Sequence, residues 1–213
     1  MTSIGERLRA YPGPGLSLEP PPSPILRVLG AIGIVGGVLL VSAFVPFIDW
    51  GPNGVAFRIV GFNAGAIAIA AAFVARVGSR ASRLARVAAF AAIATNLVYA
   101  VLIVAGIDRP RLPEPDPEFR LWLFYGGVAM WLADGALGFV LLRRRGIARL
   151  GALALAVGSP LAVLGIDRLA LVSDPGYGPF VQLVALTGAA LNGVGWIVIG
   201  ASLALAPRAE SPA

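Results

Sequence analysis

Asp134 stands about thirteen residues into an apolar run that opens near Leu121, and no other acid or base of the sequence lies so deep in such a run. A carboxyl at the centre of a bilayer costs roughly 2.5–3.5 kcal/mol on insertion scales, so one kept there has a partner or a cargo. Gly127, Met130, Leu137, Gly138 and Leu141 share its helical face, and the glycines let another helix approach closely. Asn96, Ser159, Thr187 and Asn192 lie at similar depth in other runs and are its candidate companions. Asn96 has Ala89, Ala92 and Ala100 on its face; Asn192 has Ala185, Gly188, Ala189 and Gly195. Two readings are open. The group is either a midplane site for a proton, cation or small polar solute, or a set of interhelical hydrogen bonds that holds helices together.

A second constellation is Asp49, Asp108 and Asp167, spaced by 59 residues and again by 59, each following an Ile at the end of an apolar run. A helix C-terminus disfavours a negative charge, so something else must keep the acids there. Arg109 and Arg168 adjoin two of them. Gathered around a pseudo-threefold axis, the carboxylates would make an outer acidic ring that attracts cations. Turn chemistry is the favoured alternative, with each Asp bonding its own backbone as a loop such as Asp49-Trp-Gly-Pro-Asn-Gly54 begins. The Pro-alternating stretch from Arg109 to Glu118 spreads its acids around an extended helix and reads as a stiff linker, not a metal site.

The absent residue types are as informative. There is no Cys, no His and no Lys, and all 17 basic residues are Arg. Thiolate and imidazole nucleophiles, His-ligated metals, Schiff bases and Ser–Lys pairs are therefore excluded. Carboxylates, hydroxyls, amides and guanidinium remain. We therefore expect a non-enzymatic protein with no cofactor and no metal.

What positions these residues follows from composition. The 213 residues are 58% hydrophobic and 13% charged, with a mean hydropathy of +0.84, against roughly a quarter charged in soluble domains. Six apolar runs approach the 20 or so residues needed to cross the hydrocarbon core: 27–48, 58–77, 87–107, 121–142, 150–166 and 179–206. The expected fold class is an all-α membrane protein of six transmembrane helices, arranged as three repeated parallel αα-hairpins of about 59 residues (25–80, 84–144 and 145–206). Arg27, Arg86 and Arg145 keep the same interval as the aspartates, and Asp134-Gly135 corresponds to Asn192-Gly193 at an offset of 58. Residues 1–24 read as a Pro-rich disordered tail without a signal peptide, and 207–213 as a short second tail.

Arginine sets the orientation. Arg7, Arg9, Arg27, Arg76, Arg80, Arg83, Arg86, Arg143, Arg144, Arg145, Arg149 and Arg208 fall on one side of the predicted topology, and the other five, including Arg58, on the opposite side. By the positive-inside rule both termini are cytoplasmic. The clusters at 76–86 and 143–149 fit anionic lipid head groups of the bilayer; without interleaved aromatics they do not read as a nucleic-acid surface. An Arg-only, Ala- and Gly-rich chain fits a bacterial plasma membrane. The favoured function at this level is an accessory or interaction subunit with a membrane-protein partner or a second copy. The alternative is a small transporter or channel built on Asp134.

Overall fold

The computed structural model describes residues 23–43, 54–77, 82–106, 117–143, 147–164 and 179–205. They form six helices: α1 (Pro24–Ala43), α2 (Gly54–Val77), α3 (Arg83–Gly106), α4 (Pro117–Leu141), α5 (Ile147–Val163) and α6 (Pro179–Ala204). Proline occupies the first position of α1, α4 and α6, where its missing N–H belongs to a group without an intrahelical partner anyway. Ser23 and Ser82 cap α1 and α3: Leu26 N donates to Ser23 Oγ (3.4 Å) and Ala85 N to Ser82 Oγ (3.2 Å).

These start signals move boundaries. The helix α2 opens at Gly54, so Arg58, assigned from sequence to the connection, lies inside the helix instead. It is buried (3% exposed), and its Nη1 donates to the Ser42 carbonyl at the end of α1, where helical carbonyls lack N–H partners.

Five helices, α1, α2, α3, α4 and α6, are long and apolar enough to cross a membrane. Large apolar side chains are exposed on all six, among them Val35, Phe57, Val101, Phe139, Leu153 and Leu186. Such outer faces are compatible with lipid contact, and the chain is a helical multi-pass membrane protein. The helix α5 is shorter, at 17 residues or about 25 Å of rise.

Each helix packs on its neighbours in sequence and α6 returns to α1, so the six close into a ring, with α2 also touching α6 across the interior. The contacts run antiparallel: Gly30 meets Gly200 and Ala204 while Gly37 meets Gly193 and Ile197, and Gly151 meets Gly195 while Gly158 meets Gly188. Glycine makes the tightest seams possible. A Cβ built on Gly65 would stand 2.7 Å from Gly36 Cα, and one on Gly151 would stand 2.8 Å from the Gly195 carbonyl oxygen. Antiparallel packing also brings the exposed Arg76, Arg83, Arg86, Arg143 and Arg149 to one end of the bundle. Arg80, Arg144 and Arg145, the aspartates 49, 108 and 167, and the tail 1–22 lie outside the described residues.

Candidate functional site

The interior of the ring holds one aromatic contact between helices that are not sequence neighbours. Phe62 of α2 stacks on Trp131 of α4, with centroids 5.9 Å apart and rings inclined by 26°. One helical turn along α4 comes Asp134, fully buried. The face predicted around it, Gly127, Met130, Leu137, Gly138 and Leu141, is buried with it. On the far side of Asp134 from the aromatic pair, Leu137 and Leu155 belong to the same buried core. Along α4 the carboxyl thus lies between Trp131, stacked on Phe62, and Leu137.

Two direct bonds tie the polar residues across helices. Asn96 Nδ2 of α3 donates to Asp134 Oδ1 (2.8 Å), and Asn192 Nδ2 of α6 donates to Ser159 Oγ of α5 (2.7 Å). Small neighbours bring α5 close to α4 and α6 around Ser159. Gly135 packs against the Ser159 Cβ and Pro160, and Gly158 against the backbone of Gly188 and Asn192. Pro160 brings no N–H of its own, which leaves the Ala156 carbonyl without its usual helical donor.

The Trp196 indole N–H and the Asn192 amide of α6 also lie close enough to the Asp134 carboxyl to act on it. Both act on it as hydrogen-bond donors. Only the Asn96 bond has full hydrogen-bond geometry, and by that measure Asp134 Oδ2, Trp196 Nε1, Asn96 Oδ1 and Asn192 Oδ1 are buried without a partner. The amide orientations explain this pattern. Asn96 spends its donors on Asp134 and on the Ala92 carbonyl (2.9 Å), so its own oxygen is left over. Asn63 of α2, fully buried, repeats the arrangement: Nδ2 donates to the Ile59 carbonyl (2.8 Å) and Oδ1 has no partner.

Four of the five residues expected to share a site, Asp134, Asn96, Asn192 and Ser159, are thus buried and bonded in pairs. Thr187 falls outside the group. Its side chain is exposed, and Oγ1 donates to the Leu183 carbonyl of its own helix (2.7 Å). Trp196 and Asn63 were missed from sequence. Trp196 follows Asn192 by four residues and so shares its face, which was the available signal.

Chemically, the buried group presents one carboxyl oxygen, two amide oxygens and one indole N–H beyond its two bonded pairs. No protein-family model, curated protein or solved structure matches the chain.

Proposed function

We propose that the protein is a small transporter or channel whose cargo, a proton, cation or small polar solute, passes through the buried group around Asp134. The observation that carries the reading is the set of unmet polar atoms: Asp134 Oδ2, Trp196 Nε1, Asn96 Oδ1 and Asn192 Oδ1. Each buried polar group without a partner costs about 1–3 kcal/mol. Interhelical bonding alone would be served by saturated partners, because a half-met polar network is worse than an apolar core. A site that takes up and releases cargo keeps its valences open between loads. Phe62 and Trp131 on one side and Leu137 and Leu155 on the other would then be its two closures, and this conformation its occluded state.

The same proposal takes all six helices as crossings. At 17 residues α5 is at the short end of the spanning range, and it packs along α4 on one side and α6 on the other. Six crossings put both termini on one side, and the Arg-rich end of the bundle is then cytoplasmic. Support for three repeated hairpins comes from the joints. Gly135 follows Asp134 and packs on α5; Gly193 follows Asn192 and packs on α1. Each closes its hairpin onto the first helix of the next.

The test is flux. Purified protein in liposomes should dissipate one of three imposed gradients, proton, sodium or potassium, faster than protein-free liposomes do. Rates equal to the protein-free background under every gradient would overturn the proposal in favour of an accessory subunit.

A further inference from the structure

The six seams of the ring are not alike. Along the chain of neighbours α2–α1–α6–α5–α4, a glycine meets the backbone of the next helix at every seam; the last is closed by Gly138, whose Cβ would stand 2.9 Å from the Ala152 carbonyl oxygen. Small residues let the two backbones touch, with no long side chains between them to readjust if one helix moved. The sixth helix, α3, is seated differently. Gly61 and Gly65 of α2 both face α1, and at the α3–α4 seam Gly126 meets the side chains of Leu102 and Tyr99. The packing of α3 on α2 and on α4 is the sparsest between sequence neighbours.

The two halves of α3 also differ from each other. From Arg83 to Asn96 the buried side chains are Ala85, Ala88, Ala89, Ala92 and Asn96 itself. Each alanine side chain offers a single carbon, so dispersion holds this half weakly. Beyond Asn96, Tyr99 and Leu102 pack on Gly126, and a Cβ on Gly106 would stand 3.0 Å from the Phe119 ring. One hydrogen bond ties α3 to another helix among the described residues, Asn96 Nδ2 to Asp134 Oδ1 at 2.8 Å. Thr95 spends its hydroxyl on the Ala91 carbonyl of its own helix. The tie lies where the two halves meet.

Elements that move are drawn from the parts of a fold with the fewest buried contacts. Resting on the transport reading above, we infer that α3 is the gate of the bundle: its Arg83–Asn96 half swings away from α2 and α4, pivoting on the Tyr99–Gly106 half, with the Asn96–Asp134 bond as its latch. The swing opens a route from the Arg-rich end of the bundle to Asp134, and its reversal closes that route. The five helices joined through glycine stay together as the frame.

Paired spin labels read the motion, because the chain has no Cys and exposed positions are available on every helix concerned. Val87→Cys with Leu150→Cys measures the swinging half of α3 against α5. Val101→Cys with Leu164→Cys measures the pivot half, and Val28→Cys with Leu150→Cys measures the frame alone. In liposomes the first pair should give two distances and the other two pairs one each. Asn96→Ala, which removes the latch, should shift the first pair about 3- to 18-fold towards the longer distance, the range set by breaking one interhelical hydrogen bond. Ser159→Ala breaks a bond within the frame and should leave that ratio unchanged. Where Asn96→Ala does not fold, Asn96→Leu keeps the volume and removes the donor.

A single Val87–Leu150 distance in both the wild type and the latch variant overturns the gate, and so does a second distance in the pivot pair or the frame pair. Two distances in a protein that dissipates no gradient keep the gate and remove the transport reading. Dissipation of a gradient with one distance throughout keeps transport and removes the gate.

Discussion

Asn96 holds Asp134 by one oxygen only: Nδ2 of Asn96 lies 2.8 Å from Asp134 Oδ1, while Asp134 Oδ2, equally buried, has no partner of full hydrogen-bond geometry. The amide is itself held from behind by the Ala92 carbonyl at 2.9 Å, so it cannot swing to serve the second oxygen without breaking that bond. One side of the carboxyl is fixed, and in the transport proposal the other side serves the cargo.

The fixed side is measurable as a coupling. Interhelical hydrogen bonds in membrane proteins average about 0.6 kcal/mol and reach about 1.7. A double-mutant cycle of Asn96→Ala and Asp134→Ala, read by unfolding in detergent, should give a coupling in the upper half of that range. A coupling within error of zero would mean that the bond does not form in the folded protein.

The Ser159–Asn192 bond should separate from Thr187 by the same kind of measurement. Ser159→Ala strands a buried amide donor and should destabilise by about 1–3 kcal/mol. Thr187→Ala, on an exposed face, should stay within about 0.5 kcal/mol of wild type.

The glycine seams make a steric prediction. Gly65→Val brings a side chain onto Gly36 Cα, which stands 2.7 Å from a Cβ built there, and overpacking of this kind costs about 1–3 kcal/mol. Ala64→Val, one residue away on an exposed face, should be neutral within about 0.5 kcal/mol. Thermal unfolding of the two variants side by side decides it.

The aromatic pair predicts a contrast between two tryptophans. Trp131 is 3% exposed and stacked on Phe62, so Trp131→Ala should cost about 3–5 kcal/mol. Trp122, 64% exposed near the start of α4, should cost less than about 1 kcal/mol when replaced by Ala in detergent.

Topology has a clean assay because the chain has no Cys. Single cysteines placed at Ser3 and at Ser211 should react with a membrane-impermeant thiol reagent from the same face. Labelling from opposite faces would mean an odd number of crossings and would remove α5 from the membrane.

Much of the interior was legible because helical periodicity and residue size carry it. Asp134 had to face a neighbour, since glycines recur on its face and an exposed carboxyl in lipid is costly. Depth alone was a poor guide to Thr187. Five residues separate it from Asn192, about 140° around a helix at about 100° per residue, so the two cannot share a face. The same arithmetic sets Trp196 about 40° from Asn192, but an indole reads as apolar in a hydropathy sum, and its N–H was overlooked. The apolar run begins at Arg58, because a charge reads as the edge of a span, whereas the helix begins at Gly54. The Nη1 donation of Arg58 to the Ser42 carbonyl lets α2 continue past it to Gly54. Asn63 escaped notice among Gly61, Gly65 and Ala66, where one amide scarcely changes the average.

The central claim is that Asp134 serves cargo and not merely cohesion, and the most direct test is flux per folded molecule in Asp134→Asn, under the gradient that the wild type dissipates. Asparagine keeps the size of the side chain and can still meet the Asn96 amide through its own oxygen, but it carries no charge and cannot load a proton. The account predicts a variant that folds and reconstitutes like wild type while its flux falls to the protein-free background. A variant that folds and keeps the wild-type rate would contradict it.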